Sequence, residues 1–164
     1  MLSAADIAPI VLIGAGATAV MDLWLVLLKR LGVPVSSFAL IGRWVGHFRH
    51  GRFVHAAIAK APQVPGELAL GWMVHYATGI AYAGLLVVLC GSTWLRQPSA
   101  LPALVFGIAT VAAPLFVMQP AMGAGFAAMK TPTPLRNGLR SLANHAVFGL
   151  GLFLSAAALV WLAS

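Results

Sequence analysis

A chain of 164 residues that is 61% hydrophobic and only 8% charged is not an ordinary soluble domain, in which roughly a quarter of residues carry charge. A single cysteine, Cys90, excludes an internal disulfide and any paired-cysteine metal site. The net charge of +7 does not point to nucleic acid, because the basic residues sit in connections between apolar runs and not along a solvated face that could track phosphates; anionic lipid headgroups suit them better.

The first apolar run, about 7–28, follows a start without Lys or Arg, so it lacks the charged opening of a secretory signal peptide and is expected to stay as a membrane span. Next comes an interfacial segment, about 36–60, with GRWVGHFRHGRFVH at its centre; that string holds three of the ten basic residues and three of the five histidines. Phe38, Ile41, Val45 and Phe48 recur at helical spacing, with Arg43, His47 and His50 on another face. Ser36 or Ser37 can cap this helix and Gly51 can end it. Burying its three arginines in a fifth span or re-entrant hairpin would cost about 2.5–3.5 kcal/mol each, so it is expected to lie at the headgroup layer. Arg43, Trp44, His47, Arg49, His50, Arg52 and His55 are then its lipid-facing candidates.

Three more runs follow, at about 68–90, 101–125 and 142–162. Each reaches the roughly 20 residues that a spanning helix needs. Pro114 and Pro120 predict a kink in the third span. The expected architecture is all-α: one transmembrane domain over 1–164, a four-helix bundle with an amphipathic interfacial helix between spans 1 and 2. The first and third connections hold nine of the ten Lys and Arg residues and the second holds only Arg96, which predicts cytoplasmic basic connections and both termini outside.

Every expected span carries a polar group beside small residues one turn away: Gly14, Thr18 and Asp22; Gly71, His75 and Gly79; Gln119 and Gly123; Ser141, His145 and Gly149. Small residues let helices approach, so these stripes are the expected inward faces. At 1.5 Å per residue, Asp22 lies ~10 Å before Lys29, His75 ~12 Å after Glu67, His145 ~6 Å after Ser141, and Gln119 ~27 Å from Leu101. The four polar groups are thus expected at one level near the cytoplasmic side. Asp22, His75 and His145 could relay protons, hold a divalent metal, or, through the two imidazoles, bind haem b. Absence of any cofactor is the simplest expectation, and Gln119 and Asn144 read as interhelical hydrogen bonding. Arg43 and Glu67 are expected to form a surface ion pair of little consequence. Ser141 and His145 stand one turn apart without oxyanion donors, so hydrolase chemistry is not expected. Ion or proton movement through Asp22, His75, His145 and Gln119 is the leading expectation. A non-catalytic subunit bound to a membrane partner or to its own copies is the runner-up.

The strings MDLWLVLLKRLGVP, GRWVGHFRHGRFVH, VPGELALGWMVHYATG, MQPAMGAGFAAMKTP and SLANHAVFGLG together resemble a family of bacterial inner-membrane proteins catalogued as domain of unknown function 2938. The resemblance covers nearly the whole chain. It implies a multi-pass protein of the bacterial inner membrane and assigns no activity. Asp22, Arg43, His47, His55, Glu67, His75, Gln119 and His145 all fall inside these strings.

Overall fold

In lipid a backbone must pair its own N–H and C=O groups, and a run rich in Leu, Ala and Val does so as a helix. The structure, a computed structural model, describes residues 3–164, and every regular element among them is helical. A 3-10 turn at Ala4–Asp6 leads into α1 (Ile7–Arg30); α2 (Phe38–Gly46) tightens into a 3-10 turn at His47–His50, and another at Ile58–Lys60 precedes α3 (Glu67–Cys90). Then come α4 (Thr93–Arg96), α5 (Ala100–Ala109), a π-helical turn at Pro114–Met118, α6 (Gln119–Ala121), a 3-10 turn at Phe126–Ala128 and α7 (Pro134–Ala163). Four helical stretches are long and apolar enough to cross a membrane: Ala4–Arg30, Glu67–Cys90, Ala100–Ala121 and Pro134–Ala163. The four apolar runs of the sequence are therefore the four long helices of an all-α chain.

Boundaries differ where local chemistry intervenes. The third stretch breaks after α5, at Thr110 and Val111, because Pro114 has no N–H to offer the preceding turn. It resumes as a π-helical turn and ends at Ala121, short of the expected 125, since Gly123 and Gly125 adopt φ values of 95° and 76° that leave the helix. The last helix starts at Pro134, eight residues before the expected 142, with proline's fixed φ suited to a first turn. Ser37 caps α2 by accepting from the Ala39 N–H at 3.2 Å, and Gly51 ends the following turn at φ 67°.

The chain divides into two compact units. One, here the apolar unit, comprises the chain up to Val33, Tyr76–Thr110 and Ala143–Ser164; the other, the basic unit, comprises Pro34–His75 and Val111–Leu142.

Helix approach in the apolar unit is set by glycine. A Cβ at Gly14 would strike the backbone of Ile80, and one at Gly107 would strike Gly149, so α1 meets α3 and α5 meets α7 at backbone distance. The expected stripes of α1 and α3 thus face each other. The α7 stripe instead meets Ala103 and Gly107 of α5, small residues that the sequence reading passed over. Around these seams pack Ile13, Leu86, Val87, Phe148 and Leu152, and Trp94 of α4 closes the core while donating to the Ser99 carbonyl at 3.2 Å. Outer positions stay apolar, with Leu23, Leu89 and Leu101 about seven-tenths exposed, as helices solvated by lipid require. Because lipid is as apolar as leucine, van der Waals fit at the glycine seams holds such helices together.

Glycine also sets a helix crossing in the basic unit. Gly42 of α2 and Gly71 of α3 let the two helices cross so closely that a Cβ on either would hit the Glu67 or Phe38 carbonyl. Phe38 lies over Trp72 and His75, with ring centroids 4.4 and 4.3 Å away. The segment after Gly51 is tied to the end of α6 by backbone bonds from His55 N to Ala121 O at 2.8 Å and from Ile58 N to Met122 O at 3.0 Å.

Candidate functional site

Arg43 organises the basic unit. Its Nε donates to Glu67 Oε2 at 2.9 Å and its Nη2 to Glu67 Oε1 at 2.7 Å, while Nη1 reaches the carbonyls of Ala59 and Ala61, each at 3.2 Å. Glu67 Oε2 also accepts from the Val64 N–H at 3.0 Å. One guanidinium therefore ties α2, the 58–61 turn and the start of α3 together. Bidentate pairing with Glu67 raises the Arg43 pKa above its ordinary value. The expectation of a headgroup-facing arginine in a weak surface pair is corrected here: Arg43 is only 7% exposed. Helical periodicity put Arg43 on the polar face of α2, but that face is covered by the 58–67 segment of the same unit, which periodicity does not reveal.

His47, expected at the lipid surface, is likewise enclosed, at 5% exposure. Its Nε2 lies 3.0 Å from the Pro62 carbonyl and its Nδ1 lies 2.7 Å from His55 Nε2. A carbonyl only accepts, so His47 carries its proton on Nε2. His47 Nδ1 is then the acceptor, and His55 Nε2–H donates to it. This leaves His55 Nδ1 as a buried lone pair with no hydrogen-bond partner among the described residues. Burial lowers the His55 pKa, and His47 and Arg52 push it in the same direction. The neutral form of the His55 ring is therefore favoured. Arg49, His50 and Arg52 remain exposed, and Trp44 donates to the Phe53 carbonyl at 2.8 Å.

Polar groups inside the long helices pair within their units. In the apolar unit the Tyr76 hydroxyl donates to Asp22 Oδ2 at 2.9 Å, and Trp24 Nε1 donates to Asn144 Oδ1 at 3.0 Å. Thr110 Oγ1 donates to the Gly107 carbonyl at 2.6 Å, which commits its one proton, so His145 Nδ1–H must donate to Thr110 across 2.8 Å. His145 therefore keeps its lone pair on Nε2. In the basic unit His75 packs on Phe38 and Trp72, and Gln119 Nε2 donates weakly to Ser141 Oγ at 3.4 Å, leaving Gln119 Oε1 buried without a hydrogen-bond partner among the described residues.

Tyr76 and Thr110 are the partners of candidate site residues that sequence reasoning missed. The only available signal was their position: a phenol directly after His75, and a hydroxyl one turn before Pro114. Gly71 and Gly79, members of an expected inward stripe, abut Phe38 and Thr18 of their own units. Among the described residues no three His, Cys, Asp or Glu side chains are grouped to hold a metal ion.

Comparison with curated proteins and with solved structures gives no match. A family model does match, over residues 11–159, and that span takes in most of α1, all of α2, α3 and α5, and most of α7, with every polar pair described above. The chain accordingly belongs to the family described as protein of unknown function (DUF2938).

Proposed function

We propose that this protein moves protons, alone or coupled to a solute, across the bacterial inner membrane, with Asp22 as the group that gains and loses the proton. The observation that carries this reading is the hydrogen bond from Tyr76 Oη to Asp22 Oδ2, made between two helices apolar enough to cross a bilayer. A carboxylate at mid-span costs about 2.5–3.5 kcal/mol on insertion scales, far more than the small residue that would pack as well. A phenol serves both protonation states, because it donates to the carboxylate and can accept from the carboxylic acid. His145, with Nδ1–H committed to Thr110, offers an imidazole as a second group able to carry a proton. Protons suit the site better than a metal ion, given the lack of any three-residue ligand group among the described residues. The charge distribution supports cytoplasmic basic connections and periplasmic termini.

The test is proton flux into liposomes that contain the purified protein and a trapped pH dye, with the membrane potential clamped by potassium and valinomycin. The parent protein collapses an imposed pH gradient, Asp22→Asn returns the rate to that of empty liposomes, and Tyr76→Phe gives an intermediate rate. Parent liposomes as tight as empty ones, with and without an imposed potential, overturn the proposal.

A further inference from the structure

The basic unit contains seven Lys and Arg side chains and a single carboxylate, Glu67, which Arg43 already occupies. Two of the uncompensated cations, Arg49 and Arg52, line one cavity of about 390 Å³ together with His47, His50 and Gln63. We propose that this cavity is a binding site for a phosphate group, carried either by a lipid headgroup or by a free phosphate.

Three observations carry the assignment. First, its charge is unspent. The Arg52 side chain has no hydrogen-bond or ion-pair partner among the described residues, and Arg49 uses only Nε, donating to His50 Nε2 at 3.0 Å, so both terminal nitrogens of its guanidinium remain to be engaged. Second, the walls are fixed in advance. His47 Nε2–H holds the Pro62 carbonyl, Arg43 holds the carbonyls of Ala59 and Ala61, and Glu67 holds the Val64 N–H, so the 62–64 wall is pinned to the helix that leads into Arg49. Preorganised donors lose little freedom on binding. Third, the donor set matches the ligand. Two planar guanidinium forks can each engage two oxygens of one tetrahedral anion, His50 accepts from Arg49 through Nε2 and so presents Nδ1–H, and the Gln63 amide adds neutral donors. Two full positive charges favour a phosphate dianion or diester over a neutral polar group, and the volume falls in the range of small-molecule sites. The site shares no residue with the Asp22–Tyr76 pair and is read by binding alone, so it stands or falls independently of proton movement.

The experiment uses the full-length protein in a zwitterionic detergent at fixed ionic strength. One arm titrates inorganic phosphate by calorimetry. The other titrates phosphatidic acid, with phosphatidylcholine as control, by native mass spectrometry. Saturable binding in the phosphatidic acid arm alone assigns a lipid headgroup; saturable binding in both arms, or with inorganic phosphate alone, assigns a free phosphate group as sufficient. In the binding arm, Arg49→Gln with Arg52→Gln lowers affinity at least about tenfold, as loss of charge-assisted bonds requires. Lys130→Gln, an equal charge change in the same unit outside the cavity, leaves affinity within about twofold. Arg52→Gln alone, at an exposed position, gives an intermediate loss with an unchanged melting temperature. Binding in neither arm, or equal losses from Lys130→Gln and from the double variant, overturns the proposal.

Discussion

The apolar unit and the basic unit both bring helices together at glycines, but they satisfy their polar groups by different means. In the apolar unit, glycine seams at Gly14 and Gly107 bring backbones together, and each polar group inside is matched by a hydroxyl, indole or amide: Asp22 with Tyr76, Asn144 with Trp24, His145 with Thr110. In the basic unit the helices are short, the connecting turns are irregular, and one buried ion pair binds three segments at once. The difference shows that charge enters this fold where irregular backbone needs donors. Arg43 satisfies carbonyls that no helix pairs.

Breaking that ion pair should therefore produce the largest effect. Glu67→Ala strands the Arg43 guanidinium in a buried position, a change that costs about 3–5 kcal/mol in comparable pairs. Amide exchange should rise through the 38–64 segment while the protection of α1 and α5 holds; uniform loss across both units would show that Arg43 does not act locally. Next in size is a glycine seam of the apolar unit. Gly107→Leu forces a side chain against Gly149 and should cost about 1–3 kcal/mol by overpacking, read as a lower midpoint in thermal unfolding in detergent. Loss of one interhelical hydrogen bond comes third. Trp24→Phe removes the donor to Asn144 and should cost about 0.6–2 kcal/mol; no change would mean that the bond is balanced by its alternatives in the unfolded state.

The smallest expected effect is a pH dependence confined to the basic unit. His55 has its folded pKa lowered, first by burial and then by His47 and Arg52, so the folded state prefers the neutral ring. Stability is then fully present above the unfolded pKa of about 6.5 and declines as pH falls below that value toward the lowered folded pKa. Exchange in the 52–62 segment should quicken on acidification below about pH 6.5, and His55→Phe should flatten the response. A segment that is instead steadier in acid would show that folding raises the His55 pKa and not that it lowers it.

Apolar length and punctuation read directly as structure. Each of the four runs became a helix because a run of Leu, Ala and Val of that length has one way to pair its backbone, and Ser37, Gly51 and Pro134 mark ends through their own local geometry. Asp22 stood out for the same reason, being a carboxylate inside such a run. The partners of these groups were hidden. Asp22 meets Tyr76 across 54 residues, Trp24 meets Asn144 across 120, and Thr110 meets His145 across 35. Spacing along a helix specifies which residues share a face, but not which face of another helix lies opposite.

What the amino-acid order determined by itself was the number of long helices, the crowding of positive charge into two connections, and the residues too polar to sit in lipid without cause. What the tertiary structure decided was where that charge goes. Arg43 and His47 look like members of one exposed basic stripe, yet they are buried by a turn and a carboxylate supplied 15 to 24 residues later, while Arg49 and Arg52 stay open. Burial depends on what the rest of the chain lays over a face. That is a property of long-range packing, and no local period encodes it.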